Sequence, residues 1–339
     1  MNYIAIYSDF LKQFLNPQKS LKVVFDCSNG TAGIILKELF RKLKVKSKKF
    51  KVNVDFINNR PDGNFPAHGP DPTAEGAMRD LQNAVKRRKA DLGVIFDADG
   101  DRVFFVDDEA KPVNADAAAI LLGSHFRGPV VLTELSGYLA REIIGAKKKI
   151  FYSRVGHYFI KKLMRRRKAD FGAEASGHYY FAFDAKSLSN SKRGRGKIYF
   201  DSGIIAALRM INAVSEIHPV RSKMPKASAV PLIAERTSNG MNGGLADKYF
   251  RSREINFSTA ENIAELLKRM EKIYQKSAAK VSRLDGLKME FNSSSKSAAW
   301  WFNLRPSGTE RLARLNLEAK NLNTLEAKIR ELTEIIKSS

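Results

Sequence analysis

The chain has 339 residues, of which 43% are hydrophobic and 10% aromatic, a composition typical of a folded globular protein rather than a disordered one. Its 59 lysines and arginines exceed its 36 aspartates and glutamates by 23, so the chain is strongly basic. The single cysteine, Cys27, excludes a disulfide framework and indicates a reducing, cytoplasmic compartment. No apolar run approaches the ~20 residues that a membrane-spanning helix needs, so we expect no membrane span.

The first two thirds of the sequence alternate predicted strands and helices. Apolar runs predict strands at residues 21–26, 90–97, 130–133 and 150–152, each followed by a polar or glycine-containing loop. Apolar residues at helical spacing predict helices at 34–43, from Thr73 as N-cap to Lys89, up to Gly145, and after residue 157. This alternation predicts α/β layers with ligand loops at the carboxyl ends of the strands.

The last third is predicted to be organised differently. Residues 185–197 form a polar surface insertion in this prediction, and the proline- and glycine-containing residues 222–244 form a linker. Beyond the linker we predict a helix at 259–275, strands at 287–291 and 300–304, a strand LARLNLEA and a final helix. Asn323 and Glu326 are the predicted capping pair of that helix.

The stretch VIFDADGDRVFF places three aspartates at alternate positions directly after a buried strand. Carboxylates this close repel one another unless a cation or several donors hold them, and hard oxygen ligands suit Mg²⁺. A calcium-binding EF-hand is excluded because Arg102 stands where its loop needs glycine, and a strand rather than a helix precedes. The Asp-x-Asp loop of haloacid-dehalogenase phosphatases also fits, so this motif alone leaves two alternatives.

Two further loops carry polar groups at close spacing. In GAEASGHYYF, residues 172–181, a carboxylate, a hydroxyl and an imidazole alternate, so an extended loop would point all three the same way, toward sugar hydroxyls. In LRPSGTER, residues 304–311, an arginine, two hydroxyls and an exposed backbone N–H suit a phosphate dianion.

In this order, the three loops resemble those of the α-D-phosphohexomutases, in their phosphomannomutase/phosphoglucomutase branch. DADGDR is similar to the family's Asp-Gly-Asp-Gly-Asp-Arg loop, GAEASGH to its Gly-Glu-Met-Ser-Gly-His loop, and WWFNLRPSGTERLARLNLEA to its C-terminal phosphate loop. PDGNFPAHGPDP, SRVGH and EINFS also resemble the family, and the resemblance extends over nearly the whole chain from about residue 21. The dehalogenase interpretation leaves the second and third loops unexplained.

The resemblance implies a reaction in which an enzyme phosphoserine phosphorylates a hexose phosphate, and the resulting hexose 1,6-bisphosphate reorients and returns its other phosphoryl group. It implies Mg²⁺ held by Asp97, Asp99 and Asp101. The remaining roles that it implies are catalysis by Arg102 and His157, sugar binding by Glu174, Ser176 and His178, and binding of the non-transferring phosphate by Arg305, Ser307, Gly308 and Thr309.

Two departures from the family pattern affect this prediction. The 339 residues contain no loop of the Thr-Ala-Ser-His-Asn-Pro type that carries the phosphoserine in the family. We therefore expect residues 1–20 to be the remnant helix of a first domain. A separate chain could supply that domain. Glu134, in VLTELS, stands where the family resemblance implies a lysine or arginine.

The predicted architecture is α/β, with two α/β/α domains of mixed sheets at residues 21–128, which carry the metal loop, and 129–221, which carry the sugar loop. A linker at 222–239 leads to a C-terminal α+β domain, similar to TATA-binding protein, at 240–339.

The predicted function is phosphomannomutase/phosphoglucomutase-type isomerisation of hexose 1- and 6-phosphates, with a mannose or glucose phosphate as substrate. We expect a truncated or split form of the enzyme, weakly active or inactive without the first domain. The alternatives are a non-catalytic sugar-phosphate binder, a haloacid-dehalogenase-like phosphatase and a basic nucleic-acid-binding protein. The last rests on charge alone, because no zinc-ligand spacing or RNA-binding aromatic motif accompanies it. We expect no nucleic-acid or membrane partner.

Overall fold

A computed structural model describes most of the chain. The described residues are 2–46, 52–184, 196–217, 249–258, 262–292, 299–308 and 310–338. Most of the predicted insertion at 185–197, the predicted linker at 222–239 and the predicted phosphate ligand Thr309 lie outside them. None of the described helices combines the length and the apolar composition that crossing a bilayer requires.

The first sheet has the strand order β2-β1-β3-β4, with β4 antiparallel and the other pairs parallel. Three helices belong to this part of the chain. The elements are α1 (Tyr3–Leu11), β1 (Leu21–Asp26), α2 (Ala32–Lys46), β2 (Val52–Ile57), α3 (Arg79–Arg88), β3 (Leu92–Phe96) and β4 (Val103–Val106). The predicted helix start at Thr73 is wrong: residues 73–78 form turns, and Thr73 bonds to Asp71 through its backbone N–H and its hydroxyl.

The second sheet has the order β6-β5-β7-β8-β9 and is also mixed, because β7, β8 and β9 pair antiparallel. Its elements are α4 (Ala115–Ser124), β5 (Val130–Thr133), α5 (Tyr138–Gly145), β6 (Ile150–Ser153), α6 (His157–Arg167), β7 (Phe171–Ala173), β8 (Tyr179–Asp184), β9 (Lys197–Asp201) and α7 (Gly203–Ile217). Helix α4 packs against α5, α7 and β7. The domain boundary predicted at residue 128 stays a prediction.

The third sheet is antiparallel throughout, in the order β10-β15-β14-β13-β12, with β11 also paired to β15. Two amphipathic helices accompany it. The elements are β10 (Phe250–Arg251), β11 (Ile255–Phe257), α8 (Ile263–Tyr274), β12 (Lys280–Ser282), β13 (Leu287–Phe291), β14 (Trp300–Pro306), β15 (Ala313–Ala319) and α9 (Leu322–Lys337). Helix α9 is capped by Asn321, which accepts from the Thr324 N–H at 2.7 Å, and not by the predicted Asn323.

The predicted fold class is confirmed: two α/β/α units precede an antiparallel sheet with helices. One continuous apolar core joins the first two sheets, while the third sheet has a separate core of its own. Helix α7 links the first two units because it packs against β3 and β4 of the first sheet and α4 of the second. The first two units therefore share one apolar core, whereas the third keeps a core of its own and contacts the shared core through Tyr249.

The N-terminal segment is fastened to the same helix. Leu11 and Phe14 are buried in the shared core. Asn212 of α7 donates to the Phe14 carbonyl at 2.9 Å and accepts from the Asn16 N–H at 2.8 Å. The segment is thus an integral part of the fold, whatever its relation to a further domain.

Helix α7 begins in close contact with the loop that carries Asp97, Asp99 and Asp101, residues 97–102, called the aspartate loop below. A Cβ on Gly203 would lie 2.7 Å from the Gly100 carbonyl oxygen and 2.9 Å from that of Arg102. Those distances are shorter than carbon–oxygen contacts allow, so only glycine permits this approach. The positive end of the α7 dipole consequently lies next to a loop rich in carboxylates, which it stabilises.

We predict that Gly203→Ala destabilises the protein by about 1–3 kcal/mol, the usual cost of overpacking. Alanine has a better helix propensity than glycine, worth at most about 1 kcal/mol. This gain is too small to offset the overpacking, because the new Cβ would force the start of α7 away from the loop. Chemical denaturation measures the difference. Gly63→Ala is the control, because a Cβ there meets nothing within 4 Å; equal effects of the two substitutions would contradict the close-approach argument.

Candidate active site

The aspartate loop follows β3 and brings its three carboxylates together. Single oxygens of Asp97, Asp99 and Asp101 lie within 4.8 Å of one another. Asp97 is buried and accepts from the Gly100 N–H at 3.0 Å and from the Arg102 Nε at 2.8 Å. Asp99 is exposed. The loop thus has one carboxylate fixed by its own donors and others open toward solvent.

A second loop, at residues 27–31, supports the aspartate loop from behind. The Thr31 N–H donates to the Ala98 carbonyl at 2.9 Å, and the Ser28 hydroxyl donates to the Phe96 carbonyl at 2.5 Å. This support begins at Asp26, which is buried and bonds His68 Nε2 at 3.2 Å. The hydrogen bond to Asp26 raises the pKa of His68 above its ordinary value. Sequence reasoning noted PDGNFPAHGPDP without giving His68 this role.

In the sugar loop, Glu174 is buried and already engaged. Its Oε1 accepts from the Gly156 N–H at 2.8 Å, and its Oε2 accepts from the Tyr180 hydroxyl at 2.5 Å. Ser176 Oγ lies 2.9 Å from His178 Nδ1. Glu174 therefore ties the sugar loop to the start of α6, where His157 is the first helical residue and is exposed.

The aspartate loop and the sugar loop are in direct contact. Arg102 and His178 form an antiparallel bridge, and the Val103 N–H donates to the Gly177 carbonyl at 3.0 Å. His178 Nε2 lies 3.3 Å from Asp101 Oδ2. Backbone pairing thus holds the aspartate loop and the sugar loop side by side.

Two residues near this contact were not predicted. Asp201, at the end of β9, belongs to a second group of potential metal ligands with Asp101 and His178. Lys161 of α6 bonds Asp201 at 3.0 Å. Neither lies in a recognisable sequence motif, so only the tertiary structure brings them to the site.

In the phosphate loop, the predicted ligand Arg305 is held by a carboxylate. Glu254 accepts from Arg305 Nη2 at 2.9 Å, from Arg314 Nη1 at 3.1 Å and from Asn316 at 3.1 Å. The Ser307 N–H bonds the Leu312 carbonyl at 2.8 Å and closes the loop. The Nε atoms of both arginines are buried and make no hydrogen bond within the described chain. The loop therefore holds two guanidinium groups at one carboxylate, and the Nε donor of each guanidinium stays without a partner among the described residues.

A chain of contacts joins the phosphate loop to the sugar loop. Asp285, at the turn before β13, accepts from the Val155 N–H at 3.0 Å. Its own carbonyl accepts from Asn303 at 2.8 Å, and the next residue, Gly286, packs against Arg305. Val155 adjoins Gly156, which bonds Glu174. The third unit therefore contacts the segment that leads into α6, whose next residue bonds the sugar loop.

Charged side chains dock the third unit onto the second. Lys288 is buried, donates to the Glu134 carbonyl, and lies 4.2 Å from the centroid of the Trp301 ring and 3.9 Å from Glu134 Oε2. Burial lowers the pKa of Lys288 to about 7. Ser282 donates to Glu134 Oε1 at 3.0 Å. The unusual Glu134 thus contacts the third unit, a role that no sequence pattern indicated.

A pair of buried carboxyl groups meets at the same interface. Asp116 accepts from the Gly137 N–H at 2.9 Å, and Glu318 accepts from the Tyr138 N–H at 2.9 Å and from Trp301 Nε1 at 2.7 Å. A Cβ on Gly137 would lie 2.4 Å from Asp116 and 2.5 Å from Glu318. Burial raises the pKa of both groups, and the charge of Asp116 raises that of Glu318 further.

Comparisons with known proteins agree with this architecture. Models of the phosphoglucomutase/phosphomannomutase alpha/beta/alpha domains II and III match residues 3–110 and 116–229. The phosphomannomutase of Methanocaldococcus jannaschii is 33% identical over 98% of this chain and 66% of its own length. The chain spans about two thirds of the length of the curated relatives that it matches.

Solved structures share the fold. A phosphoglucomutase/phosphomannomutase family protein from Burkholderia thailandensis superposes with a TM-score of 0.72 at 20% identity, covering 99% of this chain and 64% of that one. An Aspergillus fumigatus N-acetylphosphoglucosamine mutase, in complex with GlcNAc-6P and magnesium, gives a TM-score of 0.61 at 15% identity, covering 99% and 65%. The chain therefore belongs to the α-D-phosphohexomutase family.

Glu318→Gln tests the buried carboxyl pair, because it retains an acceptor for Trp301 and Tyr138 but does not titrate. A raised folded-state pKa stabilises the protein below the ordinary value of 4.5, and this contribution disappears as the pH rises through the folded value. We expect the free energy of unfolding of the wild type to fall relative to that of the variant as the pH rises above about 4.5, by at most about 1.4 kcal/mol per pH unit.

Urea unfolding across this pH range measures the difference. The control is Glu326→Gln, which makes the same change on the exposed side of α9, away from the buried pair. If the free energies of unfolding of Glu318→Gln and of the wild type change in parallel with pH, the buried pair does not titrate as described.

Proposed function

We propose that this chain forms the metal, sugar and phosphate sites of a phosphohexomutase that interconverts hexose 1- and 6-phosphates. The observation that carries the proposal is the contact between the aspartate loop and the sugar loop through Arg102 and His178. The hydrogen bond from Val155 to Asp285 links the third unit, which carries the phosphate loop, to the segment that leads into α6. Phosphoryl transfer depends on positioning and charge neutralisation, which the three loops would supply together.

The aspartate loop fits a magnesium ion. Three carboxylate oxygens within 4.8 Å of one another form a hard donor set, and each carboxylate has lone pairs beyond those used within the protein. Asp97, Asp99 and Asp101 would hold the ion, which would neutralise charge on the transferring phosphoryl group. That the A. fumigatus mutase of the same fold was crystallised with magnesium supports this assignment.

The other two loops divide the substrate between them. Arg305 would bind the non-transferring phosphate through its guanidinium fork, with Ser307, Gly308 and Thr309 completing the loop. Glu174, Ser176 and His178 would hold sugar hydroxyls. Because one phosphate site serves either end of a 1,6-bisphosphate, this division allows the intermediate to turn and present its other phosphoryl group.

The catalytic roles fall to Arg102 and His157. Arg102 reaches both Asp97 and, at 3.6 Å, Asp71, so its guanidinium stays at the aspartate loop, where the transferring phosphate would lie. His157 is exposed at the start of α6, next to Gly156, which bonds Glu174. The phosphoryl donor, a serine loop absent from these 339 residues, would have to come from another polypeptide segment.

A phosphatase mechanism of the haloacid-dehalogenase type is disfavoured by the position of Asp97. Asp97 would be the nucleophile of that mechanism, but it is buried and its two oxygens accept hydrogen bonds from Gly100 and from Arg102, which weaken it as a nucleophile. A non-catalytic sugar-phosphate binder is the second candidate, because the arginine and the hydroxyl groups of the phosphate loop could hold a phosphate without transferring it. Measurements of binding and of turnover separate the two.

Magnesium binding is tested with Asp99→Asn, which removes an exposed ligand without disturbing the bonds of Asp97. We expect the Mg²⁺ affinity, measured by isothermal titration calorimetry, to fall at least about tenfold, since losing even an outer-shell partner costs 10- to 100-fold. Asp108→Asn, an exposed aspartate outside the loop, is the control. An unchanged Mg²⁺ affinity in Asp99→Asn would contradict the assignment of the ion to this loop.

Mutase activity is tested by a coupled assay of mannose 1-phosphate and glucose 1-phosphate conversion, with Mg²⁺ and a hexose 1,6-bisphosphate. We expect turnover only when a protein domain carrying the serine loop is added. Arg305→Lys should raise KM about tenfold or more, because lysine keeps the charge but loses the bidentate fork. Mg²⁺ and hexose phosphate binding without turnover in the supplemented mixture would favour the binder.

A further inference from the structure

Glu254 bonds two arginines at the phosphate loop, and none of the roles assigned above uses its carboxylate. It stands directly before β11, which pairs with β15. Its Oε2 accepts from Arg305 Nη2 at 2.9 Å, and its Oε1 accepts from Arg314 Nη1 at 3.1 Å. Asn316 also donates to Oε2, at 3.1 Å. The chain thus places a carboxylate of its own at the guanidinium that the proposed function assigns to the substrate phosphate.

The two arginines need an anion beside them. Arg305 and Arg314 are direct partners in the register of β14 and β15, and like charges opposite one another destabilise a sheet. Their side chains are only 11% and 25% exposed, so water screens the repulsion only in part. Glu310 bonds Arg314 at 3.2 Å, but among the described residues it is Glu254 that bonds both arginines. Glu254 is therefore the anion that the pair shares in this structure.

A phosphate held by Arg305 would compete with Glu254 for the same donors. A guanidinium binds an anion through two parallel hydrogen bonds, either from Nε and Nη2 or from Nη1 and Nη2. Both arrangements include Nη2, the nitrogen that donates to Glu254. The Nε of Arg305 is buried and makes no hydrogen bond within the described chain, so the edge formed by Nε and Nη2 is only half used. A carboxylate that stayed at this edge would also repel a phosphate dianion.

We propose that Glu254 is a displaceable stand-in for the non-transferring phosphate. It bonds Arg305 and Arg314 while the phosphate site is empty, and it gives them up when a phosphate binds. Its side chain is 29% exposed, so the displaced carboxylate can turn into solvent. This inference rests on the proposed function, in which Arg305 holds that phosphate.

The exchange of one anion for the other bears on the reaction itself. The 1,6-bisphosphate must leave the phosphate site in order to turn and present its other phosphoryl group. While it is away, Glu254 neutralises the two arginines, and this competition weakens the hold of the site on the bisphosphate. Glu254 is thus a positioning residue that favours release over tight binding.

The test compares Glu254→Gln with the wild type in the complete 339-residue chain. Glutamine keeps the size of the side chain and an acceptor oxygen but carries no charge. The matched control is Glu271→Gln, on α8 of the same unit. Glu271 likewise accepts from an arginine, Arg283, through Nε at 3.0 Å, and its side chain is 21% exposed. The probes are inorganic phosphate and glucose 1,6-bisphosphate, and calorimetry measures their affinities.

We expect both probes to bind Glu254→Gln at least about fivefold more tightly than the wild type, and Glu271→Gln to differ from the wild type by less than about twofold. In the mutase assay supplemented with the serine domain, Glu254→Gln should lower KM and kcat together, because tighter binding of the bisphosphate slows its release. Melting curves establish that both variants fold.

Two results of the binding measurement overturn the proposal. Weaker binding of the probes to Glu254→Gln would mean that Glu254 only holds Arg305 in place for the phosphate. Equal binding to Glu254→Gln and to the wild type, or no binding to either, would mean that the carboxylate and the phosphate do not compete.

Failure of this proposal and failure of the proposed function give different results. If Arg305→Lys weakens binding of the probes and Glu254→Gln does not strengthen it, the stand-in is wrong and the function stands. If Glu254→Gln strengthens binding and the supplemented mixture shows no turnover, the stand-in is right and the mutase function is wrong.

Discussion

The close approach of α7 to the aspartate loop is the constraint on which the site depends. At Gly203 the backbone of the helix touches the carbonyl groups of Gly100 and Arg102. The same helix lies in the core shared by the first two sheets. Because interiors are close-packed, a shift of this helix would displace both sheets and the loop together. The bond from Val103 to Gly177 then fixes the sugar loop against the aspartate loop.

The third unit is joined to this body mainly through charged and polar side chains, beside one aromatic contact between Tyr249 and Tyr138. Lys288 lies against Trp301 and Glu134, and the carboxyl groups of Asp116 and Glu318 meet at the start of α5. Buried ion pairs of this kind gain little net stability, because desolvation of the charges offsets their attraction. They do specify one orientation, and their shifted pKa values make this interface more sensitive to pH than the apolar one.

The distribution of charge explains how a strongly basic chain builds an acidic site. Among the described residues, eight carboxylates but only one cation, Lys288, are buried. The buried carboxylates are Asp26, Asp97, Asp107, Asp116, Glu134, Glu174, Asp285 and Glu318. Most of them accept backbone N–H groups in loops of the candidate site or at the interface beside it. The excess of positive charge therefore lies at the surface, where it would attract anionic metabolites over a distance of about a Debye length.

The sequence by itself determined the fold class, seven of the fifteen described strands and the three loops, because apolar periodicity and loop composition are local properties. It failed where a choice depends on neighbours: the N-cap at Asn321 instead of Asn323, and the turns after Thr73 instead of a helix. Only the tertiary structure decided that Glu134 docks the third unit and that Asp201 lies beside His178, since their partners come from distant segments. Pairing across such separations is set by packing, which no local pattern records.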